Sequence, residues 1–260
     1  MSRGALLQLI AKGEADKYLY DNTDLENSLF NNAINRITNF SEAPYSFYSD
    51  SSNSSWGENL IFKIENVGDL LKNIYLVLKL PAISVADIVE DLGGTPDDDP
   101  QTSTYRVKWL DYIGNVIIEK ITLKIGGQII DQQTGEYIQF QTDIYDATWS
   151  KYCMLGHDSS LVNPQTKIDS QFLYIPLRFF FCDDISKALP VVAMEYHPIE
   201  IEVKLRPWNK LYLVLKEVNN YIDDTTTEIS KNNYIHTNKT LTKKNFTNLR
   251  MDCNFIFLDK

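Results

Sequence analysis

The run from Ile199 to Arg206 constrains this chain more than any other stretch. Ile199, Ile201, Val203 and Leu205 alternate without a break against Glu200, Glu202, Lys204 and Arg206. A period of two, with β-branched residues on one side, specifies a strand that has one dry face and one wet face. Such strands belong to antiparallel sheets packed on a core by one side only. Just upstream, Phe172 to Phe181 is aromatic and nearly continuous in apolar character, as a second and more deeply buried strand requires. Between the two, Asp183 or Asp184 caps a helical turn through Ser186 to Leu189, and Pro190 stops it. Strand, helical turn and strand predict an all-β sandwich with short helical insertions, not a catalytic loop.

Other strands are spaced along the chain. Leu60, Phe62 and Ile64 alternate with Ile61, Lys63 and Glu65; Gly68 and Asp69 turn the chain; Ile74, Leu76, Leu78 and Leu80 form a strand ended by Pro81. Ile121, Leu123 and Ile125 lead into Gly126-Gly127, whose tolerance of positive φ suits a two-residue hairpin, and Gln128 to Asp131 returns. No GxGxxG or GKS follows the glycine pair, so it is not a phosphate loop. From Thr134 to Trp149 the period changes: Tyr137, Phe140, Ile144 and Ala147 stand three and four apart, predicting a helix capped by Thr134. Lys210 to Glu217 and Leu249 to Leu258 supply further strands. Three stretches read as loops: Ser-rich Tyr45 to Gly57, acidic Val85 to Thr104, and Asn-rich Asn219 to Asn238.

Composition narrows the function classes. At 260 residues the chain buries a substantial core, and an aromatic content of 12% favours strands. A net charge of -10 opposes direct nucleic-acid binding, which needs a basic face. Cys153, Cys182 and Cys253 are far apart and odd in number, which fits a reducing compartment better than a disulfide framework. No apolar run approaches the roughly 20 residues of a membrane span. The opening MSRGALLQLIAKGEAD is interrupted by Lys12 and Glu14 too soon for a signal peptide, so a soluble, cytosolic chain is expected.

Four segments carry a resemblance. They are GALLQLIAKGEAD at Gly4 to Asp16, followed by Phe30, Arg36 and Thr38-Asn39-Phe40; LKIGGQIIDQQTGEYIQF at Leu123 to Phe140; KALPVVAMEYHPIEIEVKL at Lys187 to Leu205; and the closing FIFLD. In this order they resemble the major capsid proteins of nucleocytoplasmic large DNA viruses, which are built from two jelly rolls in tandem. The resemblance implies a jelly-roll β-sandwich, the N-terminal half of a double jelly-roll architecture. It divides the chain into an arm and lead-in at 1-40, a body at 41-248 with long loops near 84-105 and 219-245, and a last strand with the start of a connector at 249-260. A fragment of a two-roll protein and a single-roll relative both fit this pattern.

What the resemblance implies about function is structural: self-assembly into trimeric, pseudo-hexagonal capsomers of an icosahedral shell. Its partners would be a homotrimer, neighbouring capsomers and minor capsid proteins, close to an internal viral membrane. Its place would be the virion, after assembly in host cytoplasm. The alternatives are a jelly-roll scaffold or minor capsid protein of the same superfamily, or a carbohydrate-binding module.

No catalytic, cofactor-binding or metal site is predicted. His157, His197 and His236 form no metal-ligand pattern, and Cys153 with His157 lacks a partner pair. A Cys-His nucleophile would require one of those cysteines to meet a histidine in space. The carboxylates Asp87, Glu90, Asp91 and Asp97 to Asp99 do not follow a calcium-loop spacing, and Asp183-Asp184 and Asp223-Asp224 are ordinary adjacency in an acidic chain. N-x-S/T patterns occur at Asn39, Asn53, Asn238 and Asn245 and are read as chance.

Overall fold

The computed structural model describes residues 39–49, 55–89, 105–145, 149–182, 185–194, 196–218 and 233–258. Numbered along the chain, its main strands are β1 (Phe40–Phe47), β2 (Asn59–Ile64), β3 (Leu70–Lys79), β4 (Ile83–Ser84), β5 (Ile88–Val89), β6 (Tyr105–Trp109), β7 (Ile118–Ile125) and β8 (Gln128–Gln133). They continue as β9 (Lys167–Ile168), β10 (Phe172–Leu177), β11 (Leu189–Pro190), β12 (Ile199–Leu205), β13 (Tyr212–Val218), β14 (Asn233–His236), β15 (Thr240–Leu241) and β16 (Thr247–Leu258).

The alternating row is β12, and it lies between β2 and β7 in a sheet of order β2-β12-β7-β8. Ile199, Ile201, Val203 and Leu205 are all fully buried. They face a second sheet of order β1-β16-β3-β10, with β11 added on β3. From that sheet Leu71, Ile74, Leu76 and Leu78 of β3, Leu173 and Ile175 of β10, and Met251, Cys253 and Phe255 of β16 join the same core. Counting only the strands of these two paths in chain order, one sheet runs first-eighth-third-sixth and the other second-seventh-fourth-fifth. All neighbours are antiparallel. This is the jelly-roll winding, in which early and late strands alternate between two packed sheets. On the wet face Lys124 pairs with Glu202, and Lys204 with Glu119 at 2.7 Å. Exposed pairs of this kind contribute little to stability, so the apolar row carries the sheet.

Local chemistry explains the hairpin. Gly126 and Gly127 have φ of 58° and 79°, the left-handed values that a tight turn joining β7 to β8 demands. The helix Gly135–Tyr145 follows, and the Tyr137 N–H donates to Thr134 Oγ1 at 3.3 Å, the cap that the sequence predicts.

Two long connections build a third sheet. β6 lies between β3 and β7 in sequence, β13 and β14 between β12 and β16, yet they pair as β14-β13-β6; β15 likewise pairs with β5. An aromatic cluster fastens them. Trp208 packs on Trp56, Trp109 and Tyr212 at 5.9, 5.7 and 5.2 Å between ring centroids, and Phe246 meets Trp56 at 4.7 Å. Trp56 and Trp208 donate their indole N–H groups to the carbonyls of Lys244 and Leu241. Lys244 Nζ then reaches Asp87 Oδ2 at 2.6 Å, where Ser84 also donates its N–H and hydroxyl. Burial alone would raise the Asp87 carboxyl, but the Lys244 and Ser84 hydrogen bonds outweigh it and hold the pKa below the usual carboxylate value.

Several expectations are corrected. The Tyr45 to Gly57 loop begins later, because β1 runs to Phe47 along β16. Its Ser, Glu and Pro content hides a strand that exists through its partner, and Pro44 is tolerated because β1 is an edge. The aromatic strand ends at Leu177; Phe179 and Phe181 are buried beyond it, stacked at 5.7 Å. The helical turn is a 3₁₀ turn at Ile185–Lys187, and Pro190 pairs with Leu70 at the sheet margin instead of only ending the turn. Asp183 and Asp184 lie outside the described residues. Asn233–His236, expected in a surface loop, is strand β14 on β13. Asn219 to Asn232, and the acidic run from Glu90 to Thr104, lie outside the described residues.

Ile201→Ala is expected to lower the unfolding free energy by about 2–5 kcal/mol and Glu200→Ala by less than about 0.5 kcal/mol in urea titrations. Equal losses at the two positions would refute the assignment of dry and wet faces. Asp87 has a folded pKa below its unfolded value. Its contribution to stability is therefore complete above about pH 4 and lost as pH falls through the lower folded value. Lys244→Met is expected to be less stable than the parent chain at neutral pH, with the gap narrowing below about pH 4; a gap independent of acidity would mean that Asp87 is not the group held by Lys244.

Candidate functional site

A short helix, Ile113–Ile117, is the hub on which the polar cleft and the outer surface both rest. Tyr112 enters it in the left-handed region at φ 51°. The Tyr112 ring stacks on His157 at 4.6 Å with planes 6° apart, and His157 Nδ1 meets Asp111 Oδ1 at 2.5 Å. Asn115, almost wholly buried, donates from Nδ2 to Gln139 Oε1 at 2.6 Å. Gln139 in turn donates to Asp143 at 2.9 Å, and Tyr152 donates its hydroxyl to the same carboxylate at 3.3 Å. Burial, followed by the Asp111 charge, raises the Tyr112 phenol; burial and Asp143 raise that of Tyr152.

This network borders a cleft of about 260 Å³ lined by Asp111, Tyr112, Asn115, Val116, Gly135, Glu136, Gln139 and Arg206. Gly135 is needed there: a Cβ would stand 2.1 Å from the Asn115 carbonyl oxygen and 2.5 Å from that of Ile118. The lining offers no Ser, Thr, Cys or Lys. Its carboxylates are engaged, Asp111 by His157 and Glu136 by Arg206. The cleft has hydrogen-bonding groups but lacks the nucleophile, base and orienting group of a catalytic constellation.

The residues singled out in the sequence are scattered. Cys153 and His157 are neighbours, but Cys153 Sγ faces the His157 carbonyl at 4.0 Å and not the ring. His197 is exposed with its ring near Gly126, and His236 is exposed on β14. Cys253 is buried, and desolvation pushes its thiol far up, so it is a packed thiol and not a nucleophile. Among the described residues no group of three or more His, Cys, Asp or Glu side chains could hold a metal ion. Asn39, Asn238 and Asn245 are exposed, while Asn53 and Asp223-Asp224 lie outside the described residues. No helix of the described residues is long and apolar enough to cross a membrane.

Surfaces carry the stronger signal. On the helix Gly135–Tyr145, the apolar stripe points outward: Tyr137 is 47%, Phe140 61% and Ile144 56% exposed. The buried side is made by Gly135, Ile138 and Thr142. On the buried side Ile113–Ile117 approaches so closely at Gly135 that a side chain there has no room. On the other flank, β10 turns Phe172 and Tyr174 outward, with Lys79 Nζ 5.5 Å from the Phe172 ring centroid.

Against this geometry, comparisons with known proteins are consistent. The family model described as "Major capsid protein N-terminus" matches residues 28–259. A "Major capsid protein" of Chrysochromulina ericina virus is 26% identical over 262 residues, covering 86% of this chain and 44% of that protein. "Capsid protein 1" of Acanthamoeba polyphaga mimivirus is 30% identical over 224 residues, covering 81% of this chain and 35% of its own length. The chain thus spans less than half of the length of these relatives. Among solved structures, the Faustovirus major capsid protein superposes with a TM-score of 0.62 at 13% identity, over 98% of this chain and 60% of that one. A chain of the PBCV-1 virus capsid does so at 0.56 and 19%, over 89% and 46%. Both likenesses concern the fold. With the jelly-roll winding, the four resembling segments and a family match over nearly the whole length in hand, the chain belongs to the major capsid protein family, in the part that forms its N-terminus.

Proposed function

We propose that the chain is a structural subunit of an icosahedral viral shell, self-assembling as trimeric, pseudo-hexagonal capsomers and acting through its outer surfaces, not through turnover. The family match over residues 28–259 carries this reading. The jelly roll supports it physically: two sheets sealed over one apolar core leave side walls for neighbours and loops at the ends. In this reading residues 1-40 are an arm and lead-in, 41-248 the body, and 249-260 the last strand and the start of a connector. The arm from Gly4 to Asp16 contacts minor capsid components or a neighbouring subunit on the inner side, near an internal membrane. The parts of Asp87 to Asp99 beyond β5 and of Asn219 to Asn238 outside β14 face outward or between subunits. The pairing of β5 with β15 and of β6 with β13 supports grouping those two loops, since their flanks share one set of sheets.

The test is the composition of purified mature virions. The chain is expected in the shell fraction, and in solution as a species of three times its 30.0 kDa mass by sedimentation. Its presence only in assembling cells and absence from mature particles would replace this reading by a temporary scaffold of the same superfamily. Limited proteolysis of intact shells is expected to cut within 90–104 or 219–232 before any strand; protection of both loops would overturn their outward placement.

A further inference from the structure

The geometry points to a copy-to-copy contact in which the outward stripe of the helix Gly135–Tyr145 packs on the outer face of β10 of a second copy of this chain. The inference rests on the self-assembly reading and names the surfaces that would perform it. On a 3.6-residue wheel Gly135, Ile138, Gln139 and Thr142 fall together, and Tyr137, Phe140 and Ile144 fall about 180° away. The first set rests on the short helix Ile113–Ile117: Gln139 accepts from Asn115, and Gly135 lies against the Asn115 carbonyl. The same short helix meets the inner face of β10 on its other side, where a Cβ on Gly114 would stand 3.0 Å from Ile175 Cγ1. Ile175 points inward and Phe172 and Tyr174 point outward, as strand alternation requires. The stripe and the β10 aromatics therefore face away from one another across one molecule. Two unlike surfaces pointing apart make a heterologous contact, which repeats head to tail and closes a ring when the rotation allows.

Chemistry selects a second copy as the occupant. The stripe is bordered by the acid Asp143, which is held by the neutral donors Gln139 and Tyr152, whereas Glu136 is paired with Arg206 of its own copy. The β10 face is aromatic and bordered by the base Lys79, which lies over Phe172, whereas Arg250 is paired with Asp252 of its own copy. An apolar stripe bordered by Asp143 thus meets an aromatic face bordered by Lys79. In a chain of net charge -10, stripe against stripe would instead bring like charges together. The three stripe side chains offer about 300 Å² of apolar surface, too little for a stable interface by itself but suited to the dry centre of one near 800 Å² per partner.

The experiment is sedimentation of the intact chain across a concentration series, for the parent and for Phe140→Ser, Asp143→Lys, Lys79→Glu and the double variant Asp143→Lys/Lys79→Glu. Circular dichroism melts first verify that each is folded, which exposed positions should permit. Phe140→Ser and each single charge change are expected to raise the dissociation constant at least tenfold, and the double variant to recover most of that loss. A folded Phe140→Ser chain that still forms the parental oligomer would overturn the helix surface while leaving self-assembly intact. Failure of the double variant to recover would overturn the match with β10. A parent chain that stays monomeric at every concentration would remove the trimer reading and this contact with it.

Discussion

The burial of β12 between β2 and β7, with its apolar row pressed on the opposite sheet, is the constraint on which the remaining structure depends. A central strand with one oily side cannot be left open to water, and its neighbours are drawn from distant parts of the chain to cover it. Leu60 and Phe62 come from more than a hundred residues upstream, and Met251, Cys253 and Phe255 from the chain's far end. Covering one strand in this way forces early and late segments into alternation, and the winding follows. Contacts so remote in sequence must overcome loop-closure entropy before they gain burial, so the fold is a cooperative whole.

Once the sandwich is closed, its long connections have little core of their own, and they solve that by sharing one. β6 leaves from one sheet and β13 from the other, yet they pair, and Trp56, Trp109, Trp208 and Phe246 fill the space beneath. Lys244 ties this layer to Asp87 with a charge-assisted bond. The cleft at Asn115 is polar: Asp111 meets His157 and Glu136 meets Arg206, while Asn115 Oδ1 and Arg206 Nε are buried without a hydrogen-bond partner.

Legibility tracked the kind of signal. Alternation was read correctly wherever both sides of a strand differ, as at Ile121 to Ile125, Leu60 to Ile64 and Ile199 to Arg206, because period two encodes which face is buried. The Gly126-Gly127 hairpin was legible for a similarly local reason, the positive φ that few other residues accept. β1 was missed because FSEAPYSF has no apolar alternation and becomes a strand only by pairing with β16. β6 was missed beside the acidic loop, although Tyr105, Val107 and Trp109 do alternate and are buried. The helix Gly135–Tyr145 was legible from the spacing of Tyr137, Phe140 and Ile144, but that spacing does not say which side is buried.

By itself the sequence determined the strands with unlike faces, the tight hairpin and the helix with its Thr134 cap, since each depends on local backbone preference. Tertiary structure alone decided which strands are neighbours, that two remote insertions share a sheet, and that Tyr137, Phe140 and Ile144 look outward. The physical reason is reach. Local periodicity says that a helix has an apolar side, but the close backbone approach of Gly135 to Asn115 decides which side can be buried.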